Sequence, residues 1–122
     1  MRSGVVLFAH GSRDPLWRAP IEAVRAHIAA QQPGLPVRCA YLELCVPDLP
    51  QACAELVALG VDHLTVVPMF LGTGRHARND LPELVQALRQ NHPGVAFAVQ
   101  SPVGEDPRMT ALMAHIATET SL

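Results

Sequence analysis

Four short, largely apolar runs alternate with stretches of helical periodicity along this 122-residue chain, and this alternation limits the fold more than any other feature. The runs cover residues 5–9, 37–43, 64–70 and 95–99. Nearly continuous apolar strands, each followed by a helix, predict a parallel sheet with helices on both faces. Right-handed crossovers favour the strand order 2-1-3-4, in a single-domain, three-layer α/β/α fold over residues 1–122.

The helices are predicted from their apolar spacing and from the signals at their ends. The first regular helix begins near Pro20. Asp48 with Gln51 has the spacing of a capping box that opens the second helix, and Asp80 with Glu83 has the same spacing before the third. The fourth begins after Asp106. Each helix is expected to bury one apolar face in the core, and Met109 and Met113 are expected to be core residues and not cofactor ligands. The positions of these buried faces are Ile21, Val24, Ile28, Leu49, Ala52, Cys53, Leu56, Val57, Leu81, Leu84, Val85, Leu88, Met109, Leu112, Met113 and Ile116.

Composition narrows the class of protein. Apolar residues make up 49% of the chain and charged residues 16%, which is typical of a globular domain and not of a disordered chain. No run approaches the roughly 18 to 20 apolar residues that span a bilayer, and the N-terminus leads into a strand and not a signal peptide. We therefore expect a soluble, cytoplasmic protein without a membrane partner.

Charge and cysteine content exclude further classes. The formal net charge of −2 provides no basic face for nucleic acid. Cys39, Cys45 and Cys53 are odd in number and lack C-x-x-C spacing, so neither a disulfide framework nor a structural zinc site is predicted. All nine cationic side chains are arginine, whose planar fork suits carboxylates and phosphates. Genomic base composition is the favoured explanation of that bias, so only the local positions of Arg13, Arg75 and Arg78 can indicate function.

Three groups that can bind a metal follow three of the predicted strands. His10 follows the first strand, Glu43 closes the second, and His76 lies after the third. In an open parallel sheet, ligands bind at the carboxyl ends of the strands where the strand order reverses. Two histidines and one carboxylate there would suit cobalt, nickel, iron or zinc, would leave coordination positions open, and could accept protons near neutral pH.

Each of these residues also has an ordinary interpretation. A histidine at a strand end is often a hydrogen-bonded turn residue, and Glu43 could be a solvated strand end. The loop before His76 is more specific, because Gly72 and Gly74 would let a flat ligand approach the backbone. The remaining histidines are expected to be structural or to lie on the surface; they are His27, His63, His92 and His115.

Several motifs together resemble the sirohydrochlorin chelatases of the CbiX type, over nearly the whole chain. The motifs are HGSRD at residues 10–14, Glu43 followed by Pro47, VPMFLGTGRH at 67–76, DLP at 80–82, PVG at 102–104 and Asp106-Pro107. The resemblance implies a chelatase-like fold and a class II enzyme that inserts a divalent metal into sirohydrochlorin without ATP. The metal is a substrate, cobalt first with iron or nickel as alternatives, and no cofactor is permanently bound.

The resemblance also implies roles for individual residues. His10 and His76 match the metal-binding and proton-accepting histidines, and Glu43 matches the carboxylate of the metal site. The macrocycle would dock over the loop that contains Gly72 and Gly74. Since most bacterial relatives have two such domains in tandem, a chain with one is expected to pair as a homodimer.

Substrate charge gives the arginines a role. Sirohydrochlorin carries many carboxylates, and Arg13, Arg75 and Arg78 stand close to the two histidines in the sequence. Bidentate pairing with carboxylates would orient the macrocycle. For Arg78, a solvated loop position is the ordinary alternative.

Two other functions fit parts of the sequence. A non-catalytic carrier of metal or tetrapyrrole would use the same residues. A flavodoxin-like binder of nucleotide or phosphate would use the glycines before a helix N-terminus. Against the second, no G-x-G-x-x-G follows the first strand, and the chain contains no lysine for a Walker motif.

Overall fold

The sheet has the predicted topology. The computed structural model describes residues 1–119. Its strands are β1 (Ser3–Ala9), β2 (Val37–Tyr41), β3 (His63–Pro68) and β4 (Ala96–Val99). All three pairings are parallel, and the order β2-β1-β3-β4 confirms the prediction. β1 therefore lies between β2 and β3, which brings the carboxyl ends of these three strands to one edge.

Four α-helices connect or follow the strands: α1 (Ala19–Gln31), α2 (Leu49–Ala58), α3 (Arg75–Asn91) and α4 (Pro107–Thr118). Short 3₁₀ turns at Pro15–Arg18 and Val103–Glu105 precede α1 and α4. The capping box of α2 is confirmed, because the Gln51 N–H donates to Asp48 Oδ1 at 2.9 Å and the Asp48 N–H donates to Gln51 Oε1 at 2.8 Å. None of the helices within residues 1–119 has both the length and the apolarity to cross a bilayer.

Alternating strand side chains build a core on each face of the sheet. Phe8 and Val66 belong to the larger core, which α2 and α3 cover. Leu7 and Cys39 belong to the smaller core, against which α1 packs through Ile21 and Ile28. Val24 is 37% exposed, so its predicted place in the buried stripe of α1 is wrong.

α3 begins earlier than predicted, at Arg75, and Asp80 and Pro82 lie inside it. Asp80 is therefore not a helix cap. Proline inside a helix is normally unfavourable because it removes a backbone donor. Here Ala77 is buried in the larger core and holds the first turn against the sheet, so packing overrides the local signal. As a consequence, His76 and Arg78 lie on a helix and not in a loop.

The apolar face of α4 is not part of the protein's core. α4 contains no buried residue, and neither core includes any of its side chains. Leu112 is 51% exposed and Ile116 61% exposed, while Met109 and Met113 are only partly covered. The prediction that the two methionines are core residues is therefore wrong.

Candidate functional site

The loops after β1 and β2 meet at the carboxyl edge of the sheet. The backbone N–H of Glu43 donates to the carbonyl oxygen of His10 at 3.1 Å. Between them, Gly11 has φ +99°, and a Cβ added there would lie 1.9 Å from the carbonyl oxygen of Glu43. Only glycine fits such a position. The sequence His10-Gly11 thus places the predicted histidine directly beside the predicted carboxylate residue.

His10 is exposed, and its ring packs against a buried aromatic side chain. The centroids of the His10 and Phe70 rings are 4.3 Å apart, with the ring planes tilted by 30°. Phe70 is 2% exposed and also contacts Phe8 edge-on, at a centroid distance of 6.0 Å. The core of the protein therefore supports the imidazole from one side while leaving it accessible at the sheet edge.

His76 lies in the first turn of α3 and is paired with a carboxylate one turn later. His76 Nε2 is 2.7 Å from Asp80 Oδ2, with the two side chains 67% and 38% exposed. Such an exposed pair contributes little to stability. The pair does orient the imidazole ring. Because Nε2 bonds to Asp80, Nδ1 is the nitrogen left for a metal or a proton. Metal-binding histidines commonly bond to a carboxylate in this way.

The three predicted metal ligands are not assembled as one cluster. Within residues 1–119, no three histidine, cysteine, aspartate or glutamate side chains are grouped so that they could hold a metal. His10 and Glu43 are neighbours through their backbones, whereas His76 lies on a separate element. All three are exposed, so any three-ligand site requires their side chains to turn towards one another.

The predicted substrate-binding arginines all project from the surface. Arg13 lies in the loop after β1, Arg75 is the first residue of α3, and Arg78 is one turn further along. None of their guanidinium groups makes a hydrogen bond or ion pair within the part of the chain that the structure describes. Because two residues span more than half a helical turn, Arg78 lies on the side of α3 away from His76.

The predicted glycine loop is open. Gly72 and Gly74 are exposed, and a Cβ added at either position would meet no atom within 4 Å. The first N–H groups of any helix have no intrahelical acceptor. Gly74, the N-cap of α3, has no side chain to accept from them, so they stay available to a ligand. These groups and Arg75 give this end of α3 a positive potential.

The sequence did not predict a part in the candidate site for three residues: Phe70, Asp80 and Thr73. Asp80 lies four residues after His76, a spacing that indicates a pair once both are known to lie on one helix. No sequence signal singled out Phe70 beyond its apolar character. Thr73 is notable because its hydroxyl oxygen is shielded from solvent and makes no hydrogen bond within the described residues.

The buried side chains of Cys39, Tyr41 and Cys53 stay protonated near neutral pH. Burial raises the pKa of the Cys39 and Cys53 thiols to about 12. Burial also raises the pKa of Tyr41, whose hydroxyl lies 3.5 Å from Glu22 Oε1. Thiols with such pKa values are poor nucleophiles and metal ligands. These three buried groups therefore do not contribute to the chemistry of the edge.

Sequence comparison places these features in a known family. The sequence model of the CbiX family matches residues 4–120. The chain is 37% identical, over 82 residues, to the sirohydrochlorin cobaltochelatase of Methanothermobacter thermautotrophicus. That match covers 67% of this chain and 57% of the relative, so the chain spans little more than half of that protein's length.

Solved structures show the same fold. A CbiX protein from Marinobacter aquaeolei VT8 superposes with a TM-score of 0.76 at 31% identity, covering 94% of this chain and 93% of that one. The sirohydrochlorin chelatase SirB of Bacillus subtilis subspecies spizizenii, in complex with cobalt, gives a TM-score of 0.79 at 27% identity. Here the match covers 94% of this chain but 49% of SirB. With a family match over residues 4–120 and the same fold as these structures, the chain belongs to the CbiX family.

Proposed function

We propose that this chain inserts a divalent metal, cobalt in the first place and iron or nickel as alternatives, into sirohydrochlorin. One observation carries the proposal: the two motif histidines stand at the carboxyl edge of neighbouring strands in a CbiX fold. His10 follows β1, His76 follows β3, and these strands pair in register with Phe8 opposite Pro68. The names of the relatives supply the reaction and the substrates.

In the proposed reaction, His10, Glu43 and His76 bind the metal ion as a substrate. Glu43 supplies charge, and His76 offers Nδ1 because Asp80 holds Nε2. Ring nitrogens of the macrocycle then replace the protein ligands one after another. An imidazole of His10 or His76 accepts the pyrrole protons as the ring nitrogens bind the metal. Open coordination positions are what allow this exchange.

The macrocycle needs local positive charge, because a protein with a net charge of −2 repels a molecule rich in carboxylates. Arg13 and Arg75 provide that charge next to the histidines, together with the N-terminus of α3. The open faces of Gly72 and Gly74 leave room for a flat ring above the loop.

A homodimer is part of the proposal. Its support is the exposed apolar stripe of α4, which includes Leu112 and Ile116, on a helix that buries nothing in its own chain. A helix of this length is marginally stable in water without tertiary packing. A second copy would cover the stripe. The single-domain organisation over residues 1–122 and a cytoplasmic location stay predictions from the sequence.

The test is an insertion assay. Sirohydrochlorin is incubated under anaerobic conditions with Co²⁺, Fe²⁺ or Ni²⁺, with and without the protein, and metal insertion is followed by absorbance. We expect the protein to accelerate insertion of at least one metal. If it accelerates none of them, the chelatase proposal is wrong. Binding of metal and macrocycle without turnover would instead identify the carrier.

A further inference from the structure

A cleft lies between α3 and the end of β4, on the side of α3 that faces away from His76. Its volume is about 530 Å³, within the range of small-molecule sites. Its walls are mainly apolar and include Phe70, Leu81, Val85 and Val99. The cleft opens at the carboxyl edge of the sheet, where β3 and β4 end. No residue of the proposed metal site lines it.

An unsatisfied polar group lies within this apolar lining. Thr73 lines the cleft, and its hydroxyl oxygen is shielded from solvent and has no hydrogen-bond partner within residues 1–119. Buried polar atoms are nearly always paired in native proteins, because leaving one unpaired is unfavourable. A ligand in the cleft would supply the missing partner once rotation of the Thr73 side chain about χ1 turns the hydroxyl towards it.

Two arginines flank the cleft along one face of α3. Arg78 and Arg89 are 11 residues apart, about three helical turns, so both project towards the cleft. Arg89 is held in place by donating to the carbonyl oxygen of Phe97 at 3.1 Å. The guanidinium of Arg78 makes no such contact among the described residues. Glu105, the acidic residue in the lining, does not lie on α3. We therefore expect an anionic group of a ligand to bind on the α3 side of the cleft, next to the arginines.

We propose that this cleft receives one pyrrole-type ring of the substrate macrocycle together with its carboxylate side chain. The ring packs between α3 and Val99, the carboxylate pairs with Arg78, and the hydroxyl of Thr73 bonds to a polar atom of the ligand. Phe70 is a wall of the cleft and also packs against His10, so the rest of the macrocycle extends past Phe70 towards that histidine. The identification of the ligand as the macrocycle rests on the proposed function. That the ligand has a flat ring and a carboxylate is inferred from the cleft alone.

The first experiment uses indole-3-acetate, a fused pyrrole ring with a carboxylate, and indole as its uncharged counterpart. Binding is followed by backbone amide shifts in NMR spectra of the ¹⁵N-labelled protein. We expect indole-3-acetate to shift the amides of Thr73, Leu81 and Val99, and indole to bind the same place more weakly. Shifts confined to other regions, or equal affinity for both probes, would overturn the proposal.

Variants identify the groups responsible. Arg78→Gln should weaken indole-3-acetate binding about tenfold, as expected for one charge-assisted hydrogen bond, and leave indole binding unchanged. Arg38→Gln is the matched control, because Arg38 lies on β2 outside the cleft, and it should change neither affinity. Equal effects of the two substitutions would overturn the assignment of Arg78.

Thr73→Val separates a binding role from a structural one. Because it removes an unpaired buried hydroxyl at nearly constant volume, it should raise the melting temperature while weakening indole-3-acetate binding severalfold. If affinity is unchanged, Thr73 has no role in binding.

A competition experiment tests the macrocycle itself. Metal-free sirohydrochlorin should displace indole-3-acetate from the wild-type protein, and Arg78→Gln should weaken its binding without changing the affinity for Co²⁺ alone. If sirohydrochlorin binds without displacing the probe, its placement in the cleft is wrong although the proposed function stands. If it does not bind at all, the proposed function and the placement fail together.

Discussion

Gly11 decides how closely the loops after β1 and β2 approach one another. Gly11 has φ +99°, and the carbonyl oxygen of Glu43 occupies the space that a Cβ would need. Alanine at this position would therefore suffer both backbone strain and a clash. We expect Gly11→Ala to lower the free energy of unfolding by about 2–4 kcal/mol in urea denaturation. Gly34→Ala is the control, because a Cβ at Gly34 meets nothing within 4 Å. Equal stability of the two variants would show that the loops are not closely packed.

Gly72 and Gly74 are different, since the fold does not require glycine at either position. A Cβ would meet open space, and neither residue has a positive φ. We therefore expect Gly72→Ala to keep the melting temperature of the wild type and to weaken sirohydrochlorin binding by severalfold or more, because the methyl group occupies space that the proposed docking of the ring requires. Gly74→Ala should weaken binding to a similar extent and lower the melting temperature slightly, because alanine is a poorer N-cap residue than glycine. Gly94→Ala, equally open, should leave binding unchanged. Unaltered affinity in both loop variants would remove these glycines from the site.

At the level of elements, α3 shows where local sequence signals mislead. Asp80, Pro82 and Glu83 have the composition of a helix start, but the burial of Ala77 extends the helix back to Arg75. The extension puts His76 and Asp80 on the same helical face and Arg78 on another. Sequence could predict that a histidine stands near the end of β3. It could not predict the histidine's carboxylate partner, because that contact depends on where the helix begins.

The stability of α4 should depend on pH through Asp106, the residue that caps its N-terminus. Hydrogen bonds from the side chain and backbone of Arg108 lower the pKa of Asp106 to about 2, against an ordinary value of 3.8. Because the pKa is lowered in the folded state, the stabilisation of α4 is complete above pH of about 4 and is lost as the pH falls through about 2. Amide NMR spectra of α4 should show this loss in the wild type and not in Asp106→Asn. A carboxyl that titrates near 3.8 would contradict the contact.

On the scale of the whole molecule, strand order was predictable because it depends on general rules. Apolar runs identify the strands, and crossover handedness limits their arrangement. The order in turn places His10, Glu43 and His76 at one edge. Their side-chain orientations were not predictable, nor was the cleft beside Arg78, because both depend on how separate elements pack. The uncovered stripe of α4 was unpredictable for the same reason.

The exposed stripe of α4 predicts the oligomeric state. Light scattering should give a mass near twice the 13.1 kDa of the chain. Replacing Leu112 and Ile116 together by Glu should yield monomers, since charge on a buried apolar contact is unfavourable. Ala111→Glu changes the opposite side of the helix and should leave the dimer intact. A monomeric wild type, or a dimer that survives the double substitution, would exclude α4 as the interface.

The site histidines provide the most direct test of the proposed chelatase. Single-turnover cobalt insertion into sirohydrochlorin should be followed under anaerobic conditions for the wild type, His10→Ala, His76→Ala and the control His27→Ala, whose histidine lies on the exposed side of α1. We expect each of the first two substitutions to slow insertion by about 100-fold or more, as loss of a proton acceptor and metal ligand does, and His27→Ala to react at the wild-type rate. Insertion at wild-type rates in both His10→Ala and His76→Ala would contradict the assignment of the site.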